Sequence, residues 1–121
     1  MFAYCGNNPE LRQELAEARN KMPNVHHIVP AGNFSSRNKE TQRQIEVLHD
    51  KLNKAEINRF IDPMNLMLVS AGTHARLHTD EYIARVYRYI MATDGTREQI
   101  EGALFVLRIE IAASDIWAYG Y

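Results

Sequence analysis

Apolar positions along the chain change period several times, and each change marks an element. Leu11, Leu15, Ala18 and Met22 recur at helical spacing. They follow Asn8, a cap, then Pro9 at the first helical position and Glu10 in the first turn. A helix is therefore expected over 9–22, stopped by Pro23. Val25–Val29 is short, β-branched and bounded by prolines, which predicts a strand. Ala31-Gly32-Asn33 is a turn. Ser36 is placed to cap a helix over Arg37–Leu52 with Ile45, Leu48 and Leu52 inward. Lys51–Asp62 reads as a connection, and Asp62-Pro63 as a turn. Asn65–Val69 is a second short apolar strand. Thr79 caps a helix that buries Tyr82, Val86, Tyr89 and Ile90. Thr96 to Gln99 has capping-box form and opens a last helix over 96–113, striped by Ile100, Ala103, Leu104, Leu107 and Ile111. Phe105, Val106 and Ile109 extend that apolar face. The helix is either deeply buried or a contact surface for another chain. The order helix, strand, helix, strand, helix, helix predicts a single α+β domain, mostly helical, over residues 1–121.

Composition narrows the chemistry. At 121 residues the chain holds one core and not two. Cys5 is the only cysteine, so no internal disulfide and no cysteine-rich zinc site can form. Any metal must be held by histidine and oxygen ligands. No apolar run reaches the length of a membrane-spanning helix, and the N-terminus lacks a secretory signal pattern, so a soluble protein is expected. The net charge is −1, unevenly spread. Residues 37–93 carry nine Lys/Arg against seven Asp/Glu, and residues 94–121 carry two against five. The middle of the chain is mildly basic, and the charge neither requires nor excludes a polyanion partner.

The histidines fall in that middle. Four of the five lie in two clusters, His26-His27 and His74-Ala75-Arg76-Leu77-His78. Spacing i, i+4 puts two imidazoles on one helix face, the arrangement that offers both to one metal. A zinc-protease motif would need Glu directly after the first histidine, and Ala75 excludes it. Together the clusters form a metal-site layout in which His26, His74 and His78 hold one divalent ion, with positions left for water and substrate. His27 is then the general base, since an imidazole with a pKa of about 6.5 is partly neutral at pH 7. Adjacent strand residues face opposite ways, so this division requires a bulge or a strand end at His26-His27. His49 on the second helix is expected to be structural. Arg76, Arg37 and Arg85 are candidate phosphate contacts, as are Lys39, Arg43 and Arg88, although solvated faces account for them equally well. Tyr82, Tyr87 and Tyr89 are expected to be packing residues. Two rival readings use the same residues. One is a non-catalytic module built on structural zinc, with His27 as fourth ligand; the other is an interaction domain without metal.

Three pieces in order carry a further expectation: His26-His27-Ile28-Val29-Pro30, then Asn65-Leu66-Met67-Leu68, then His74-x-x-Leu77-His78-Thr79-x-x-Tyr82. Over about residues 25–90 the chain resembles the AHH nucleases of the HNH/endonuclease VII (His-Me finger) superfamily. The resemblance implies a ββα-metal core over about 25–92, with the helices at 9–22 and 96–113 packed around it. It implies hydrolysis of phosphodiester bonds with one divalent ion held by His26, His74 and His78. His27 would be the general base, and Asn65 would tie the loop between the strands in place. Three imidazoles suit zinc, nickel or cobalt, and a hydrated magnesium ion with fewer protein ligands is also compatible. The expected substrate is nucleic acid, DNA ahead of RNA. Such domains are often C-terminal toxin modules of bacterial effectors, which act in the cytoplasm of a target cell and are neutralised by a cognate immunity protein. The chain departs from the family pattern at Val25, where alanine is usual, at Leu66, where glycine is usual, and at Val69, where proline is expected.

Overall fold

A computed structural model describes residues 9–21 and 23–114. Asn8, Met22 and Cys5 lie outside that range. In chain order the elements are α1 (Pro9–Lys21), β1 (Pro23–His27), α2 (Lys39–Lys54), a 3-10 turn (Pro63–Asn65), β2 (Leu66–Ser70), α3 (Ala71–Arg76), α4 (Asp80–Met91) and α5 (Arg97–Ala113). The architecture is α+β and mostly helical, as expected, with a ββα core and flanking helices.

β1 and β2 form a two-stranded antiparallel ribbon in which His27 pairs with Leu66, His26 with Met67 and Val25 with Leu68. Both strands sit slightly off their expected limits, for one reason. Beyond His27 the chain leaves the ladder and is taken up by Asn65. Ile28 N–H donates to the Asn65 carbonyl at 2.9 Å. Val29 N–H donates to Asn65 Oδ1 at 2.7 Å, and Asn65 Nδ2 donates back to the Val29 carbonyl at 3.0 Å. The apolar residues Ile28 and Val29, read as strand, are instead an irregular segment with both side chains fully buried.

The core lies among α2, α4 and α5, where Ile45, Leu48, Leu52, Val86, Ile90, Leu104 and Leu107 are buried with Val69. Burying such a side chain contributes roughly 1.5–3 kcal/mol. By contrast, no described residue of α1 is fully buried, and that helix packs on α3 at the periphery. Local caps fix the helix starts. Asn38, Ser70, Thr79 and Thr96 each accept a hydrogen bond from the third helical N–H of their helix. Ser36 does not cap α2. Asn38 takes that place because its Oδ1 accepts from Thr41 N–H at 2.8 Å while its Nδ2 donates to Asp80 at 3.0 Å, a link to α4 that Ser36 does not make.

The end of α2 is closed by Ile57 N–H on the Leu52 carbonyl and Glu56 N–H on the Asn53 carbonyl, the crossed pair of bonds that usually ends in glycine. Here Glu56 occupies the left-handed position, at φ 59°. α5 reaches back to the start of β2, where Arg108 Nη2 donates to the carbonyls of Pro63, Met64 and Leu66 at 2.8, 3.2 and 2.9 Å. Phe105, Val106 and Ile109 stand about half exposed on the same helix, so α5 is buried on one face only.

Candidate active site

His26 and His27 end β1, and the alternation of the strand sends them in different directions. His26 turns inward and is 2% exposed. Its Nε2 lies 2.9 Å from Tyr82 Oη, and that hydroxyl donates its only proton to the Ile28 carbonyl at 2.7 Å. The phenol oxygen can therefore only accept from His26, which places the imidazole proton on Nε2 and the lone pair on Nδ1. Nδ1 is buried and has no hydrogen-bond partner. Burial keeps Tyr82 protonated by raising its pKa far above the usual range.

His74 and His78 complete the cluster, though not from one helix. α3 ends at Arg76 with Leu77 as its cap, so His78 lies in the turn before α4. The i, i+4 expectation of a shared helix face is replaced by a helix residue and a turn residue. The two rings nevertheless meet, with centroids 4.4 Å apart and Nε2 atoms 3.1 Å apart. His26 lies 5.4 Å from the His74 ring and 6.5 Å from the His78 ring. One ligand atom from each of the three can be chosen so that all lie within 4.8 Å of one another. An orphaned buried nitrogen beside two imidazoles fits a divalent ion taking nitrogen ligands.

The electrostatics agree with that donor set. Burial first, then the neighbouring His74, His78 and His27, lowers the His26 pKa to about 3. Burial and then the histidine neighbours lower that of His74, and burial and then Arg37 that of His78. Neutral rings with lone pairs are what a metal requires. A stability effect follows for metal-free protein. The unfolded chain binds protons below about pH 6.5, whereas folded His26 stays neutral down to about 3. The unfolded state therefore holds more protons in that window, and stability present above pH 6.5 is lost as the pH falls. We expect urea unfolding in a chelating buffer to give a stability that declines from pH 7 to pH 5, with His26 contributing up to about 1.4 kcal/mol per pH unit. A flat profile would contradict a His26 held neutral.

His27 is half-buried, and its Nε2 lies 3.2 Å from the Phe60 carbonyl. A carbonyl only accepts, so Nε2 carries the proton and Nδ1 the lone pair. The same tautomer thus occurs twice, set by a phenol in one ring and a backbone carbonyl in the other. Asn65, fully buried, adds to its Val29 bonds a donation from Nδ2 to the Arg59 carbonyl at 2.8 Å. It joins the segment after His27 to the loop that supplies the Phe60 carbonyl. All four clustered histidines line one cavity of about 190 Å³ with Tyr82 and Phe34.

None of the arginines singled out from the sequence lines this cavity, but Arg37 borders it, with its guanidinium 5.9 Å from the Phe34 ring centroid. Arg76 donates to Thr73 Oγ1 at 3.0 Å, Arg37 to the His78 carbonyl and to Asp80, and Arg85 to Glu110. His49 is buried and donates from Nε2 to the Pro30 carbonyl at 2.6 Å, consistent with a structural role. Two participants were not visible as such in the sequence. Tyr82 lies in the motif but read as packing, and Phe60 contributes a backbone atom, for which a side chain gives no sign.

A family model described as AHH, a nuclease family of the HNH/ENDO VII superfamily with conserved AHH, matches residues 7–103. No curated protein and no solved structure matches the chain.

Proposed function

Since the chain belongs to the AHH family of nucleases in the HNH/ENDO VII superfamily, we propose that it is a metal-dependent endonuclease hydrolysing phosphodiester bonds in DNA. In this reading His26, His74 and His78 hold one divalent ion and His27 is the general base. The observation that supports it most is the buried, unpartnered Nδ1 of His26 beside two imidazoles kept neutral. Bound there, the ion would act as a Lewis acid for charge developing on the phosphate and on the leaving 3′ oxygen.

The chain's own residues do the rest. His27 Nδ1 takes a proton from a water positioned for in-line attack. The resulting imidazolium is held by its Nε2–H on the Phe60 carbonyl, a bond that strengthens once the ring is charged. Asn65 holds the two segments that set that distance. Tyr82 keeps the His26 lone pair on Nδ1.

The non-catalytic alternative needs a fourth protein ligand for a structural zinc. Among the described residues the cluster has three, which favours a site with an open position. The test is incubation of purified protein with supercoiled plasmid, single-stranded DNA and RNA across zinc, nickel, cobalt and magnesium, with EDTA as control. Cleavage that EDTA stops supports the proposal, and no cleavage with any metal removes it. By calorimetric titration, His74→Ala and His78→Ala should each weaken metal binding by on the order of 100-fold or more, since even outer-shell changes cost 10–100-fold. As part of the same proposal the domain is a bacterial toxin module with a cognate immunity protein. Expression in a bacterial cytoplasm should then arrest growth, and His27→Ala should relieve the arrest. No helix among the described residues is long and apolar enough to cross a membrane.

A further inference from the structure

A second cavity, of about 300 Å³, shares no lining residue with the histidine pocket. Asn53, Glu56, Ile57, Asn58, Arg59 and Phe60 line it. Two hydrogen bonds tie its wall to that of the first. His27 Nε2 bonds the Phe60 carbonyl at 3.2 Å, and Arg59 Nε donates to the Ala31 carbonyl at 3.0 Å. Both His27 and Ala31 line the histidine pocket. Phe60 thus both lines the second cavity and offers its carbonyl to the general base.

The cavity is built from groups suited to a flat heteroaromatic ring. Phe60 is 52% exposed, and the Arg59 guanidinium lies 4.4 Å from its ring centroid. The loop that presents Phe60 is firmly pinned. Phe60 N–H donates to Asn58 Oδ1 at 3.0 Å, Asp62 N–H to the Asn58 carbonyl at 2.9 Å, and Arg97 Nη1 to the Glu56 carbonyl at 2.9 Å. An exposed aromatic on a held loop loses little freedom when it binds. Glu56, left-handed because it closes the α2 cap, also lines the cavity.

We propose that this cleft receives an unpaired nucleobase adjoining the scissile phosphate. The base stacks on Phe60 and gives an exocyclic amino hydrogen to the Glu56 carboxylate. The inference rests on the nuclease reading. A carboxylate repels phosphate, but it accepts from cytosine N4 and equally from the amino groups of adenine and guanine. Thymine and uracil have no such group. Stacking requires the base to be out of the duplex, so single-stranded or unpaired segments are the favoured substrate.

The test uses the full chain and short fluorescent oligonucleotides of cytosine or thymine, with binding read by anisotropy in EDTA. Cleavage of a randomised single strand with metal present is read by sequencing the cut ends. Wild type should bind the cytosine strand about tenfold tighter than the thymine strand. Phe60→Ala should weaken both by about tenfold or more, and Phe60→Leu, which keeps an apolar side chain, should not restore them. Glu56→Ala should remove the preference between the two strands and even out the bases found beside the cut. If wild type cuts, but binding and cut-site bias are unchanged in Phe60→Ala and Glu56→Ala, the cleft has no such role and the nuclease reading stands. If wild type cuts nothing, both fall.

Discussion

His27→Ala is expected to leave a folded protein that still binds a divalent ion but cleaves nucleic acid between about 10² and 10⁴ times more slowly. The separation of the two properties follows from the geometry. His27 is not one of the three clustered ligands, and among the described residues its ring bonds the Phe60 carbonyl alone. Removing it empties no core position, since it ends a strand and is only half-buried. The freed carbonyl belongs to a half-exposed residue and can turn to water. What disappears is the lone pair that takes the proton. Initial rates on plasmid and calorimetric metal titration, made on one preparation, check both halves. Cleavage at the wild-type rate would remove His27 from the mechanism, and loss of metal binding would return it to the ligand set.

Asn65→Ala should lower stability by about 3 kcal/mol or more, by urea unfolding. Three hydrogen bonds vanish at a fully buried position, and the Val29 N–H, Val29 carbonyl and Arg59 carbonyl are left without partners. Each such buried group costs about 1–3 kcal/mol. Asn65→Asp sharpens the test. It has nearly the same shape and still accepts from Val29 N–H, but it turns a carboxylate oxygen toward two carbonyls that need a donor. It should therefore be destabilised above the carboxylate pKa and recover as the pH falls. Both variants should also slow cleavage, because the segments joined by Asn65 carry His27 and the Phe60 carbonyl. A stability change under about 0.5 kcal/mol for Asn65→Ala, the range of ordinary surface substitutions, would show that water replaces the side chain.

The parts of the fold that the chain spells out are those decided within a few residues. Thr79 and Thr96 cap α4 and α5 as read, because a hydroxyl and an N–H three residues on settle the matter locally. Asp62 likewise caps the 3-10 turn. Where two local answers compete, a distant residue decides, and the sequence is silent. Ser36 and Asn38 are both acceptable caps, and Asp80, on another helix, selects Asn38. The strands end elsewhere than the apolar runs imply because Asn65, 36 residues from Val29, takes over the backbone groups that a ladder would use. The histidines that approach one another were legible, since imidazoles at such spacing have few other reasons to cluster. Their tautomers were not. Those depend on whether the partner of each Nε2 is an oxygen whose proton is already committed, as with Tyr82, or a carbonyl with none to give, as with Phe60.

Arg108 has a bearing on where this molecule begins and ends. Its three carbonyl partners open the strand whose first residue pairs with His27, yet it stands five positions past residue 103, where the family match stops. The stretch that evolution carries from protein to protein and the stretch that must fold together thus have different lengths. A domain cut to the shared boundary would keep every histidine and lose the guanidinium that gathers the carbonyls at the start of β2.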